Sequence, residues 1–153
     1  IKTERKVFRD KACNCLSREV VNNMSKFLIL LVDDNHTINF LHDKICSLTL
    51  KEAEIMKFCN GQEAADFLQE NENMIASRKV LVLLDINMPI MNGWAFLEYI
   101  SQNSLSDQLK VAMVSSSTTN EDKNSAFRFP MVVGYVEKPL TPSQLLELTA
   151  PIF

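Results

Sequence analysis

Glycine is scarce in this chain, with only 3 residues, Gly61, Gly93 and Gly134. They lie far apart, so there is no G-x-x-x-x-G-K-[ST] loop and no G-x-G-x-x-G turn. Gly-rich cradles for nucleotide phosphates are thereby excluded. Cysteine is sparse too: Cys13, Cys15, Cys46 and Cys59. A C-x-C pair followed by scattered singles matches no zinc spacing, and His36 and His42 add no metal pattern. Reduced thiols are expected, with Cys46 and Cys59 acting as small core hydrophobes. No apolar run is long enough to span a bilayer, and no N-terminal stretch resembles a secretory signal. A cytoplasmic location is the expectation. Formal net charge is −3, which gives no electrostatic ground for binding nucleic acid or an anionic membrane.

What is present suits one domain. Of 153 residues, 46% are hydrophobic, enough to bury a core. Residues 1–23 stand apart, with Lys2, Arg5, Lys6, Arg9, Lys11 and Arg18 against Glu4, Asp10 and Glu19. This basic segment lacks clean apolar periodicity. It reads as a leader, an expression remnant or a poorly ordered tail, with the domain occupying 24–153. The rival reading is a short helical arm, because Leu16, Val20 and Met24 recur at a spacing of four. A first residue of Ile rather than Met also suits a piece of a longer protein.

From residue 27 the chain is punctuated regularly. "FLILLV" is a short apolar run of the kind found in a strand covered on both faces. Ile38, Leu41, Ile45 and Leu48 then recur at helical spacing. "AEIMKFC" (53–59) reads as a strand, and "NGQEAADFLQE" (60–70) as a turn and helix with Ala64, Phe67 and Leu68 on one face. "KVLVLLD" (79–85) is a second central strand, followed by a helix over 92–100 with Phe96, Leu97 and Ile100 inward. A strand (110–116), a polar helix (119–127) and a last strand (131–139) follow. The final helix begins at "TPSQLLEL" (141–148), where Thr141 caps and Pro142 takes the first helical position. Five strands alternating with five helices predict an open parallel sheet covered on both faces.

In such sheets, ligands bind beyond the carboxyl ends of the strands. Those ends carry Asp33 and Asp34, then Asp85, then Ser115 and Ser116, then Lys138. Singly, each has a plain explanation: an Asp after a strand usually caps a helix or makes a turn, Ser115 suits a cap, and Lys138 before Pro139 suits a solvated loop. Together, carboxylates converging on one cleft repel unless a cation lies among them, and oxygen ligands suit a hard one such as Mg²⁺. With a lysine and a hydroxyl opposite, the set is fit to bind and transfer a phosphoryl group. One aspartate can itself be the nucleophile and form an acyl phosphate.

These residues sit in motifs that resemble a known family. "LLVDDN", "LLDINMPIMNGWAFL", "VAMVSSS" and "GYVEKPL" occur in the order found in receiver domains of bacterial two-component response regulators, over about 26–148. The resemblance is to stand-alone, chemotaxis-like receivers. It implies a flavodoxin-like, doubly wound sheet of order 2-1-3-4-5. It implies Asp85 as phosphoacceptor, taking its phosphoryl group from a sensor histidine kinase or histidine phosphotransfer protein. It implies Mg²⁺ (or Mn²⁺) held directly by Asp34, Asp85 and the backbone carbonyl of Asn87, and through water by Asp33. Lys138 would pair with the phosphoryl oxygens, and Ser115 would move to bond them. Tyr135 holds the switch-aromatic position, with an ordinary edge-strand aromatic as the equal alternative. Asn87 and Ser117 fall where the family tunes phosphoryl lifetime. The interval from Asp34 to Asp85 is longer than usual in the family, and the surplus is expected in a loop around 70–78.

Three functions compete. The first is a phosphorylatable receiver acting through an unknown downstream protein, stand-alone because no output domain follows before Phe153, or else a fragment of a larger hybrid protein. The second is a phosphatase of the haloacid dehalogenase type, disfavoured because its D-x-D arrangement is absent from the first strand. The third is a degenerate receiver serving only as an interaction module, disfavoured because Asp33, Asp34, Asp85, Ser115 and Lys138 are all present.

Overall fold

The computed structural model describes residues 26–152. The expectations for residues 1–23, including Cys13 and Cys15, lie outside the described residues. The elements run β1 (Phe27–Val32), α1 (His36–Thr49), β2 (Glu54–Phe58), α2 (Gly61–Glu70), α3 (Glu72–Ala76), β3 (Lys79–Leu84), α4 (Gly93–Ser101), β4 (Leu109–Ser115), α5 (Asn120–Phe127), β5 (Val132–Glu137) and α6 (Pro142–Thr149). All strand pairs are parallel, in the order β2-β1-β3-β4-β5. The expected topology is therefore present.

Strand side chains alternate between faces, and both faces are covered. Leu28, Leu30, Val32, Val80, Val82 and Leu84 join Phe67, Leu68, Phe96, Leu97 and Ile100 of α2 and α4 in one cluster. Ile29, Leu31, Leu81 and Leu83 join Cys46 of α1 and Leu145 and Leu148 of α6 in the other. Each such fully buried large side chain contributes roughly 1.5–3 kcal/mol. Register carries this order to the functional edge, with Val32 opposite Phe58 and Leu84, and Leu84 opposite Met113. The residues that follow these positions emerge at one end of the sheet.

Short polar side chains start the helices there. Asn35 accepts from the N–H groups of Thr37 and Ile38, Asn60 from Glu63, Asn92 from Ala95 and Thr119 from Asp122. Each satisfies donors that a helix start leaves free. At α6 the expected Thr141 cap is a reciprocal box: Thr141 Oγ1 accepts from Gln144 N–H at 3.2 Å, and Gln144 Oε1 accepts from Thr141 N–H at 3.0 Å.

Three features differ from the sequence reading. A sixth helix, α3, occupies the stretch expected as loop, and its Ile75 is fully buried. The apolar row of α1 is only partly its inner face: Ile45 packs against the core, but the centre of that face is polar. Asn39, His42 and Cys46 are buried, whereas Leu41 is 38% and Leu48 74% exposed. Third, Val111 pairs with Val132 but Ala112 with Gly134, so β5 carries one extra residue at Val133. Beyond that bulge, a Cβ on Gly134 would meet a terminal methyl of Leu148 on α6, so any larger residue there would have to displace that side chain.

Candidate functional site

Asp33 follows β1 and is nearly fully buried. Its backbone N–H continues the ladder to Phe58 O at 3.1 Å, and its Oδ1 accepts from Asn35 N–H at 2.9 Å. Asn39 of α1 braces this corner: Nδ2 donates to the carbonyl oxygens of Asp33 (2.9 Å) and Phe58 (3.1 Å). Asp34, the next residue, is exposed. The two neighbours thus occupy different environments: Asp33 is still held by the sheet edge, whereas Asp34 lies in the bend beyond it.

Asp85 follows β3 and is also buried. Its Oδ1 accepts from Ile86 N–H at 2.8 Å. Behind it, Gly93 N–H donates to Ile86 O at 2.8 Å, and a Cβ at Gly93 would collide with the Asp85 carbonyl oxygen. Glycine at the start of α4 thus lets that helix press on the backbone of the acid. Between the two, Ile90 has φ 70° and is 82% exposed, an unfavourable backbone state for a β-branched residue.

Lys138 reaches in from the end of β5. Its Nζ lies 2.7 Å from Asp33 Oδ2 and 3.2 Å from Asp85 Oδ2. Its backbone N–H donates to Ser115 O at 3.0 Å, and the Lys138–Pro139 peptide is cis. Burial pushes the Asp85 carboxyl above its ordinary range and the charge of Asp33 adds to this, while Lys138 and the Ile86 N–H pull the other way. Burial also disfavours the Lys138 ammonium, yet its bonds and charge contacts with Asp33 and Asp85 outweigh that and raise its pKa.

Carboxylate oxygens of Asp33, Asp34 and Asp85 all lie within 4.8 Å of one another. Three oxygen donors at that spacing, with one acid open to solvent, fit a hard divalent cation that keeps part of its water shell.

The hydroxyl side of the site is a chain of bonds. Ser115, fully buried, accepts at Oγ from Ser117 N–H at 3.1 Å. The Ser117 carbonyl oxygen accepts from Tyr135 Oη–H at 2.8 Å, and the Ser117 hydroxyl donates to Asp122 at the start of α5. Tyr135 is half-buried against the core. Asn87 and Ser116 are exposed.

The family model of the response regulator receiver domain matches residues 29–150. The chain belongs to this family. Over 124 residues the receiver is 30% identical to Two-component response regulator 24 of Arabidopsis thaliana, covering 81% of this chain and 82% of that protein. It is 29% identical over 119 residues to a Chemotaxis protein CheY homolog of Campylobacter jejuni, covering 78% of this chain and 86% of that one. A two-component response regulator from Cytophaga hutchinsonii superposes with a TM-score of 0.75 at 30% identity, over 84% of this chain and 97% of that one. The receiver is thus a signalling domain with an acidic pocket of the kind that holds Mg²⁺. No helix among its described residues is long and apolar enough to cross a membrane.

The receiver structure gathers Asp33, Asp34, Asp85 and Lys138 directly, and ties Ser115 to Lys138 through the backbone. Two contributors escaped the sequence reading. Asn39 and His42 lie on the buried face of α1 at a spacing of three, and their only signal was polar residues recurring between the apolar ones. Cys46, on the same face, is the buried thiol expected, with burial pushing its pKa to about 12.

Proposed function

We propose that this receiver accepts a phosphoryl group on Asp85 from a phosphohistidine of a sensor histidine kinase or histidine phosphotransfer protein, and so switches a protein-interaction face in the cytoplasm. The observation that carries this reading is the buried Asp85 carboxylate, 3.2 Å from the Lys138 ammonium and grouped with the oxygens of Asp33 and Asp34.

In the transfer, an Asp85 oxygen forms the new bond to phosphorus as the P–N bond to the donor imidazole breaks. The imidazole leaves with the electron pair of that bond and takes up a proton. Asp34, Asp85 and the Asn87 backbone carbonyl would hold Mg²⁺ directly and Asp33 through water, and the bound cation would offset the charge of the transferring group. Lys138, whose Nζ is 3.2 Å from Asp85 Oδ2, would pair with the phosphoryl oxygens. Hydrolysis of the acyl phosphate by water resets the domain, and no further catalysis is assigned to it.

The Ser115–Ser117–Tyr135 chain supports the switch. A Ser115 hydroxyl that turns to the phosphoryl group releases Ser117 N–H, whose carbonyl holds Tyr135. Added charge would then bias a two-state loop and aromatic. Phe127 on α5, Val133 on β5 and Leu146 on α6 each expose an apolar side chain, which suits a partner-binding face made of these three elements. The decisive experiment is incubation with acetyl phosphate and Mg²⁺. One base-labile phosphoryl group on wild type and none on Asp85→Asn is expected. Equal labelling of both overturns the reading in favour of a phosphorylation-independent module.

A further inference from the structure

His42 is 3% exposed on the inner face of α1, and its Nε2 accepts the backbone N–H of Leu140 at 3.1 Å, across 98 positions of sequence. Leu140 closes the turn that carries Lys138. That turn, Lys138 to Leu140, has two backbone donors, because Pro139 has none. The Lys138 N–H goes to Ser115 O on β4. The Leu140 N–H points to α1, where mid-helix carbonyls are committed to the helix's own bonds. A side-chain acceptor at this place is therefore the means of fixing the far end of the turn. Leu140 itself is 1% exposed among Leu145 and Leu148, so its N–H has no access to water as a substitute.

An accepting Nε2 requires the neutral ring with its proton on Nδ1. Burial holds the His42 pKa below its ordinary value, Asp33 opposing and Lys138 adding to this, which keeps the acceptor form in place.

We propose that His42 is a positioning residue for the phosphoryl-binding lysine. Through Leu140 it pins the turn so that the Lys138 ammonium stays between Asp33 and Asp85. The proposal rests on the receiver reading above, in which Lys138 meets the transferred group. The hydrogen bond itself runs from His42 to the Leu140 backbone and involves no carboxylate, so its effect is expected on lysine geometry before metal binding.

The test compares wild type with His42→Leu, His42→Asn and His42→Gln. Leu fills space without an acceptor. The Asn amide ends near the place of Nδ1, and the Gln amide reaches the place of Nε2. Three quantities are read: the rate of Asp85 labelling by acetyl phosphate in saturating Mg²⁺, Mg²⁺ affinity by calorimetry, and hydrogen exchange of the Leu140 amide by NMR. The Leu and Asn variants should label about tenfold more slowly, the usual effect of one lost hydrogen bond on a positioned group. Their Mg²⁺ affinity should be unchanged or tighter, and their Leu140 amide should exchange faster. Gln should restore both rate and protection.

A Leu variant that labels at the wild-type rate overturns the proposal. So does a Gln variant no better than Leu, or a Mg²⁺ affinity that falls in step with the labelling rate, since either marks a merely structural residue. If wild type takes no phosphoryl group, the receiver reading itself fails. The Leu140 amide then still decides the anchor: equal exchange in all four proteins removes it.

Discussion

Lys138 Nζ lies 2.7 Å from Asp33 Oδ2, so the buried acid after the first strand is neutralised by the turn after the last. The same ammonium is 3.2 Å from Asp85. Both side chains of the shorter pair are less than a fifth exposed, so the contact is poorly screened. Lys138→Met should leave two buried carboxylates facing each other without a cation. We expect a loss of about 1–3 kcal/mol in urea unfolding with EDTA present. Mg²⁺ should bind this variant more tightly, because a competing positive charge is gone. Weaker binding by calorimetry would contradict the placement of Lys138.

Asp85 makes stability depend on pH with a definite sign. Burial and Asp33 raise its folded-state pKa above the unfolded value. Between those two values the folded chain binds the proton that the unfolded chain has lost, so stability falls as pH rises through that window. The contribution is intact below the unfolded pKa of about 4. In EDTA, Asp85→Asn should therefore be the more stable protein at pH 7, and the gap should close in acid. Parallel denaturation curves at pH 7 and below 4 check it.

Magnesium should stabilise the folded state by linkage. At a hundredfold excess over Kd the gain is about 2.7 kcal/mol, visible as a rise in Tm. Asp34→Asn should raise Kd about tenfold while leaving metal-free stability nearly unchanged, since Asp34 is exposed. Asp33→Asn should disturb both, because Asp33 also holds Lys138 and Asn35. Trp94, which packs on the core at the helix start behind Asp85, should report the binding by fluorescence.

Ile90 offers a strain test. Its φ of 70° disfavours a β-branched residue, and at 82% exposure the side chain contributes little packing. Ile90→Gly should stabilise the protein by about 1 kcal/mol in chemical unfolding. Gly93→Ala should do the reverse, by about 1–3 kcal/mol, because its Cβ meets the Asp85 carbonyl and the Ile86 Cα.

The parallel sheet and the acids gathered at its carboxyl edge were legible because both are written locally. Continuous apolar runs such as Leu28 to Val32 mark strands covered on two faces, and the acids directly follow them. What was hidden depends on tertiary choice. In α1, the row Ile38, Leu41, Ile45 and Leu48 has sound helical spacing, yet the buried positions are Asn39, His42 and Cys46, with Ile45 only partly buried beside them. Asn39 and His42 satisfy backbone groups of Asp33, of Phe58 in β2 and of the Lys138 turn, the last of these far away in sequence. No local pattern announces an acceptor for a donor 98 positions distant. The β5 bulge is equally silent, for nothing in the pair Val132 and Val133 marks where the pairing skips a residue.

Helix α3 shows the same limit, and it constrains how this chain can change. Surface insertions are ordinarily cheap to lose as well as to gain. Here Ile75 is wholly enclosed in the main apolar cluster, and Arg78 N–H donates to Ile75 O at 3.0 Å on the way into β3. Trimming residues 72–76 would remove a core side chain together with the surplus length and leave a hole about the size of an isoleucine. The insertion and the core around it are therefore joined in inheritance: a shortened descendant would have to refill that space from another side chain of the cluster in the same lineage, or lose stability.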